Sequence, residues 1–339
     1  MPLSEFDIIS RFFAQPDLSF AVPGIDQGIG DDAAILSVPD DQVVTASMDV
    51  LVADVHFPAG ADAAKIGQRA LAVNLSDLAA MGSKPWCFTL GLIIPEADAQ
   101  WLQNLASGLS VLAQRYQCPL VGGDISRGPL SLSIQVQGLN HRDKLIRRAG
   151  AQPGDLILVT GTLGDGAFGL ASVTNEPVQI KQIKGHPLKF DPQNDAQATH
   201  FNAAYWAPEP PVNFAERIAG RVSAGLDISD GLLGDLAHIL QASAVGARIE
   251  LAKLPYSSHA QAVSDPTSCE LAALYGGDDY ELCLTANPSE LEGLNSLAEQ
   301  SGLSLTVIGE IVAELGLQCI DVDGETVDHS PSSYQHFKR

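Results

Sequence analysis

A chain of 339 residues exceeds one ordinary core and falls short of three, which sets two domains as the expectation. Hydrophobic residues make up 45% and charged residues only 18%, the balance of a folded chain and not of a disordered segment or a coiled coil. Nineteen Lys and Arg against 41 Asp and Glu leave a net charge of −22, which repels nucleic-acid backbones and anionic membranes; any phosphate ligand then needs bridging cations. No run of about 18 apolar residues offers a membrane span. The opening MPLSEFDIISRFF carries Glu5 and Asp7 where a signal peptide needs an apolar core. Cys87, Cys118, Cys269, Cys283 and Cys319 are scattered, odd in number and free of C-x-x-C. This argues against a disulfide framework or a zinc site and leads us to expect a reducing cytoplasm.

In chain order, VVTASMDV (43–50) reads as a strand ending in a carboxylate, and 61–82 as a helix stopped by Gly82 and Pro85. On that helix Ala70, Asn74, Asp77 and Met81 share a stripe that places an amide beside a carboxylate on an otherwise apolar surface. A second helix is expected over 99–116 and an alternating strand over 130–140. Pro153-Gly154 turns the chain into a buried strand over 155–160, which puts a domain boundary near residue 150. Residues 1–150 are then expected to form an N-terminal domain and 151–339 an α/β C-terminal domain. GTLGDGAFGLA (161–171) follows a strand and opens a helix, so its amides are candidates for a phosphate. The polar, proline-punctuated stretch 173–211 reads as an excursion over the surface. GLDISDGLLGDLAHILQ reads as strand, turn and helix, ELAALYGGDDYELCLTA as a loop entering a strand, and 303–312 as a further strand. Strands interleaved with helices in both halves give an α/β or α+β fold class.

The unusual feature is a series of carboxylates at turns in apolar surroundings: Asp31 and Asp32, Asp49, Asp77, Asp124, Asp227 and Asp230, Asp278 and Asp279. Carboxylates gathered in apolar surroundings need cations, and hard oxygen donors without His or Cys select Mg²⁺, Mn²⁺ or Ca²⁺. The acids are spread over about 250 residues and no EF-hand loop is present, which favours a catalytic Mg²⁺ site holding substrate phosphates. A purely solvating acidic surface would account for the total charge but not for acids inside apolar turns. The P-loop and the protein-kinase signatures are both absent from the sequence.

GIGDDAAIL, SMDVLVADVHF, ALAVNLSDLAAMGSKP, VGGDISRGPL, LDISDGL and GGDDYEL, in this order and spacing, resemble the thiamine-monophosphate kinase family, from about residue 4 to the terminal YQHF. That family belongs to the ATP-binding superfamily of aminoimidazole ribonucleotide synthetase. The resemblance implies a two-domain fold whose N-terminal domain forms a β-barrel across a homodimer, and a cytoplasmic enzyme making thiamine diphosphate from thiamine monophosphate and ATP. It implies Mg²⁺ ligands at Asp32, Ser47, Asp49, Asp77, Asp124, Asp227 and Asp230, with Met48 giving at most a backbone carbonyl. Implied ATP contacts are Tyr116, Gly123, Asp124, Arg148 and Ser229, and implied thiamine monophosphate contacts are His56, Asp278 and Tyr334. No catalytic general base is expected.

Three departures stand out. Met48 replaces a usual Thr, Asp278 a usual Glu, and YWAPEPPV stands where the family carries an Arg-rich stretch. Selenophosphate synthetases and hydrogenase-maturation enzymes of the same superfamily need a reactive Cys in an N-terminal glycine-rich loop or at the C-terminus. The first Cys here is Cys87 and the chain ends HFKR. Aminoimidazole ribonucleotide synthetase itself and an inactive nucleotide-binding regulator stand as alternatives; against the regulator, unused buried carboxylates are costly.

Overall fold

The computed structural model describes residues 4–174, 179–180 and 186–329. It is a mixed α/β chain of two compact units. One holds the chain up to Leu78 together with Ser83–Asp143, and the other holds Ala79–Gly82 and the chain from Lys144 onward.

The first unit runs α1 (Glu5–Ile8), a single π turn over Ile9–Phe13, the short β1 (Ile25–Gln27) and β2 (Ile35–Leu36), then β3 (Val43–Val52) and α2 (Ala63–Ala80). It continues through β4 (Lys84–Ile94), α3 (Ala99–Arg115), β5 (Leu120–Arg127) and β6 (Ser131–Asn140). Four strands form one sheet in the order β3-β6-β4-β5, antiparallel except for the β4–β5 pair. The sheet is open, with β3 and β5 at its edges. α2 is buried on nearly every side: Ile66, Ala70, Leu71, Leu75 and Ala79 are fully inaccessible, each large aliphatic contributing about 1.5–3 kcal/mol. It crosses α3 closely enough that a Cβ on Gly108 would lie 1.9 Å from the Ala64 carbonyl oxygen. Only glycine fits there.

The second unit runs β7 (Leu156–Thr160), α4 (Asp165–Thr174), β8 (Gln179–Ile180), β9 (His186–Pro187), α5 (Asp195–Trp206), α6 (Val212–Ile218), β10 (Ala224–Ile228), α7 (Leu232–Ser243) and β11 (Gly246–Glu250). It ends with α8 (Ser258–Val263), α9 (Pro266–Tyr275), β12 (Glu281–Ala286), α10 (Leu291–Gln300), β13 (Leu305–Val312), β14 (Gly316–Ile320) and β15 (Thr326–Val327). Seven strands form a sheet in the order β10-β12-β7-β13-β11-β14-β15, in which only β11 and β14 pair in parallel. Because β10 and β7 both run antiparallel to β12, their C-terminal ends meet the start of β12 at one end of the sheet.

Two expectations are corrected. ELAALY is the end of helix α9, not a loop: Asp265 caps the helix by accepting from the Ser268 N–H at 2.8 Å, and Pro266 opens it. Within 173–211, α5 is no surface excursion. Its Phe201, Tyr205 and Trp206 are buried, and Gly169 of α4 abuts the Phe201 carbonyl too closely to carry a side chain. Three aromatic anchors in twelve residues outweigh the polar composition around them.

Candidate active site

In the first unit the strand period places Ser47 and Asp49 on the face of β3 that meets α2. The Ser47 hydroxyl donates to Asp77 Oδ2 at 2.5 Å, and the Asp49 N–H donates to Asn74 Oδ1 at 3.0 Å. Asn74 is fully buried and its Nδ2 donates to the Ala70 carbonyl at 2.9 Å, which fixes the amide and leaves its oxygen for β3. The helix stripe therefore meets the strand's carboxylate end. Met48 lies on the opposite face, 56% exposed.

Asp124 is exposed on β5 opposite Gly91, and Gly123 before it approaches the Leu90 carbonyl so closely that a Cβ would lie 2.0 Å away. Asp32 is exposed in a turn where its N–H donates to Asp31 Oδ1 at 2.8 Å; that turn reaches β5, Gly28 lying against Val121. Tyr116 closes α3, its N–H donating to the Leu112 carbonyl at 3.0 Å. His56 Nδ1 accepts the Val52 N–H at 3.0 Å, so the neutral ring carries its proton on Nε2. Among the described residues no three His, Cys, Asp or Glu side chains are grouped as a metal cage.

In the second unit, Asp227 is buried at the end of β10 and Ser229 and Asp230 form the turn into α7. Both turn N–H groups donate to Oδ2 of Asp235, each at 3.0 Å. Burial, with the neighbouring Asp230, raises the Asp235 carboxyl to about 7 against the bonds from that turn, and Arg148 nearby lowers it. Arg148, Ser229, Asp230 and Asp235 are thus neighbours.

The Asp278 loop lies against the same turn. The Asp278 and Tyr280 N–H groups donate to the carbonyls of Ser229 (2.9 Å) and Ile228 (2.8 Å), and Tyr280 Oη donates to Asp278 Oδ1 at 2.9 Å. Tyr334 lies outside the described residues.

The glycine-rich turn 161–166 does not present its amides to a phosphate. The Gly164 N–H donates to both oxygens of Asp279 (3.0 and 2.9 Å) and the Gly166 N–H to Oδ1 at 3.1 Å. Burial holds the Asp279 carboxyl well above the usual carboxylate range, partly offset by the two glycine N–H groups. Asp165 of the same turn accepts from Ser257 Oγ (2.7 Å) and lies 2.9 Å from His200 Nε2. Asp235 escapes a motif reading because it sits inside an apolar helix. Its one signal is an acid in the first turn of a helix, where the positive end of the helix dipole favours a carboxylate.

Two family models match: AIR synthase related protein, N-terminal domain, over residues 30–139, and AIR synthase related protein, C-terminal domain, over 152–321. The fold and the acidic turns thus define a protein of the AIR synthase related class. A curated thiamine-monophosphate kinase from Escherichia coli (strain K12) is 38% identical over 337 residues, covering 99% of both chains. The crystal structure of thiamine-monophosphate kinase from Stenotrophomonas maltophilia K279a superposes with a TM-score of 0.82 at 38% identity, covering 96% of this chain and 99% of that one. AaThiL complexed with AMPPCP and TMP superposes at 0.72 with 26% identity, covering 88% and 89%. The chain belongs to the thiamine-monophosphate kinase family.

Proposed function

We propose that the chain transfers the γ-phosphoryl group of ATP to thiamine monophosphate, giving ADP and thiamine diphosphate. The observation that carries this reading is the full-length likeness to thiamine-monophosphate kinases, whose solved relative AaThiL is complexed with AMPPCP and TMP. The residues agree with it. A phosphate monoester with a second pKa of about 6 is a dianion at neutral pH. Its oxygen attacks the γ-phosphorus while the bond to the β–γ bridging oxygen breaks, and no base need remove a proton.

Charge is the obstacle, since two unit charges 4 Å apart repel by about 4 kcal/mol at an effective dielectric near 20. Mg²⁺, when bound, neutralises the phosphates and polarises the transferring group. The donors fit it: in the first unit Ser47, Asp49 and Asp77 supply hard oxygens at one place between β3 and α2, with Asp32 and Asp124 on neighbouring segments. In the second unit Asp227 and Asp230 supply the same chemistry. Mg²⁺ normally keeps waters and substrate phosphates in its shell, so one or two carboxylates per ion suffice without a three-residue cage. Gly123, Tyr116, Arg148 and Ser229 are assigned to ATP, and Arg148 supplies the positive charge beside the acidic turn.

His56 and Asp278 are assigned to thiamine monophosphate. The Nε2–H of His56, fixed by the Val52 bond, is a donor for that ligand. His56→Ala is expected to raise KM for thiamine monophosphate about tenfold, a loss of about 1.4 kcal/mol, with KM for ATP within about twofold of wild type. Steady-state titration of each substrate checks it.

The acting form is assigned as a homodimer built on the open sheet of the first unit. Val44, Met48 and Val50 are exposed on one face of its edge strand β3, a stripe suited to a second copy completing a barrel. Val50→Glu is expected to leave the fold intact and convert a sedimentation profile from dimer to monomer. Cytoplasmic residence fits five buried free thiols, with Cys283 and Cys319 pushed up to about 12 by burial. No helix among the described residues is long and apolar enough to cross a membrane.

The deciding experiment is ADP release from ATP and Mg²⁺ with thiamine monophosphate, thiamine or no acceptor. Release that requires the monophosphate and yields thiamine diphosphate supports the reading. Release indifferent to the acceptor overturns the substrate.

A further inference from the structure

The Asp278 loop is held in an unfavourable shape. Asp278 has φ +69° and Tyr280 φ +53°, left-handed backbone that is unfavourable for a non-glycine residue. Such a shape persists only where its surroundings impose it. Two surfaces do so. On one side the loop amides bond to the Ile228 and Ser229 carbonyls, and a Cβ on Gly277 would lie 2.5 Å from the Ser229 carbonyl oxygen. On the other side the first turn of α4 is seated against the Asp278 peptide, where a Cβ on Gly166 would lie 2.4 Å from the Asp278 carbonyl carbon and oxygen. Between the two strained residues stands Asp279, whose carboxylate takes the Gly164 and Gly166 N–H groups. With both oxygens engaged on that turn, Asp279 is assigned to fastening and not to ligand contact.

Resting on the substrate reading above, we propose that Asp279 is a positioning residue for thiamine monophosphate: by tying the Gly164–Gly166 turn to the left-handed Asp278–Tyr280 loop, it sets the place of the Asp278 carboxylate. A neutral amide can keep one part of the tie. Asn at 279 retains an oxygen at the Oδ1 position, which accepts from both glycines, but sets an N–H₂ donor against the Gly164 N–H at the Oδ2 position. Alanine removes the tie altogether.

The test compares wild type, Asp279→Asn, Asp279→Ala, Asp278→Ala and the Asp278→Ala/Asp279→Asn double variant in steady-state titrations of thiamine monophosphate and ATP. Expected are rises in KM for thiamine monophosphate of about threefold for Asn and tenfold or more for Ala, with KM for ATP within about twofold. In the Asp278→Ala background the Asn substitution should add nothing, because the residue it positions is gone. An unchanged KM for thiamine monophosphate in folded Asp279→Asn, equal rises for both substrates, or an undiminished effect in the double variant would each overturn the proposal. If Asp279→Ala does not fold, the Asn series decides alone. A second readout needs no substrate: the Asp278 and Tyr280 amides should exchange hydrogen faster in Asp279→Asn than in wild type, and equal protection rejects the tie. Should wild type itself ignore thiamine monophosphate, the substrate reading fails and the exchange measurement still judges Asp279.

Discussion

Asp77→Asn is expected to lower kcat/KM by at least about a hundredfold while leaving the melting temperature unchanged or higher, the scale of losing one preorganised charge-stabilising group. The exchange keeps the shape: an amide oxygen can still accept the Ser47 hydroxyl, so β3 and α2 stay joined where that bond now measures 2.5 Å. It removes a charge from a place where the neighbouring acid is Asp49, and without cations like charges there work against folding. Stability and activity should therefore move in opposite directions. Ser47→Ala, which removes the hydroxyl but keeps both carboxylates, should cost far less activity. The assay is turnover at saturating Mg²⁺ beside a thermal melt in the absence of nucleotide. Near wild-type turnover of Asp77→Asn would take Asp77 out of the set assigned to the ion.

The contrast between Asp77 and Asp279 marks how far the sequence could be read. Helix and strand periods located β3, α2, α3, β7 and α7 within a few residues, because each carries a long apolar pattern with capping or glycine signals at its ends. The stripe of Asn74 and Asp77 on α2 foretold a polar pair, and that pair is what meets β3. Local pattern failed where tertiary contact supplies the partner. The turn 161–166 follows a strand and opens a helix, as a phosphate cradle does, though without the strict G-x-G-x-x-G spacing, and the group that fills it comes from Asp279, more than a hundred residues away. α5 likewise owes its place to three aromatics and to the glycine facing it on α4. A carboxylate that coordinates and a carboxylate that fastens look the same in a sequence. Burial and hydrogen-bond partners separate them.

Glu281 carries that distinction into a pH dependence. It stands at the start of β12 with its side chain hydrogen-bonded to the Thr160 hydroxyl, and burial, reinforced by Asp165, raises its carboxyl from 4.5 to about 7. A folded-state value above the unfolded one means that the folded protein binds the proton more tightly. The stability from this group is complete below about 4.5 and is lost as pH rises through about 7. Glutamine at this position is neutral at every pH and close to the protonated acid in shape. Wild type should therefore lose about 2 kcal/mol relative to Glu281→Gln between pH 5.5 and pH 8, an interval above the isoelectric region near 4.5. Urea unfolding of both proteins at the two pH values measures the difference, and parallel curves would return Glu281 to an ordinary carboxylate. A falling wild-type curve would show the protein carrying a protonatable acid at the base of its substrate loop, two residues from Asp279 and three from Asp278. The Thr160 hydroxyl, which donates to Glu281, favours the charged carboxylate and opposes this shift, so a raised value would mean that desolvation outweighs the bond.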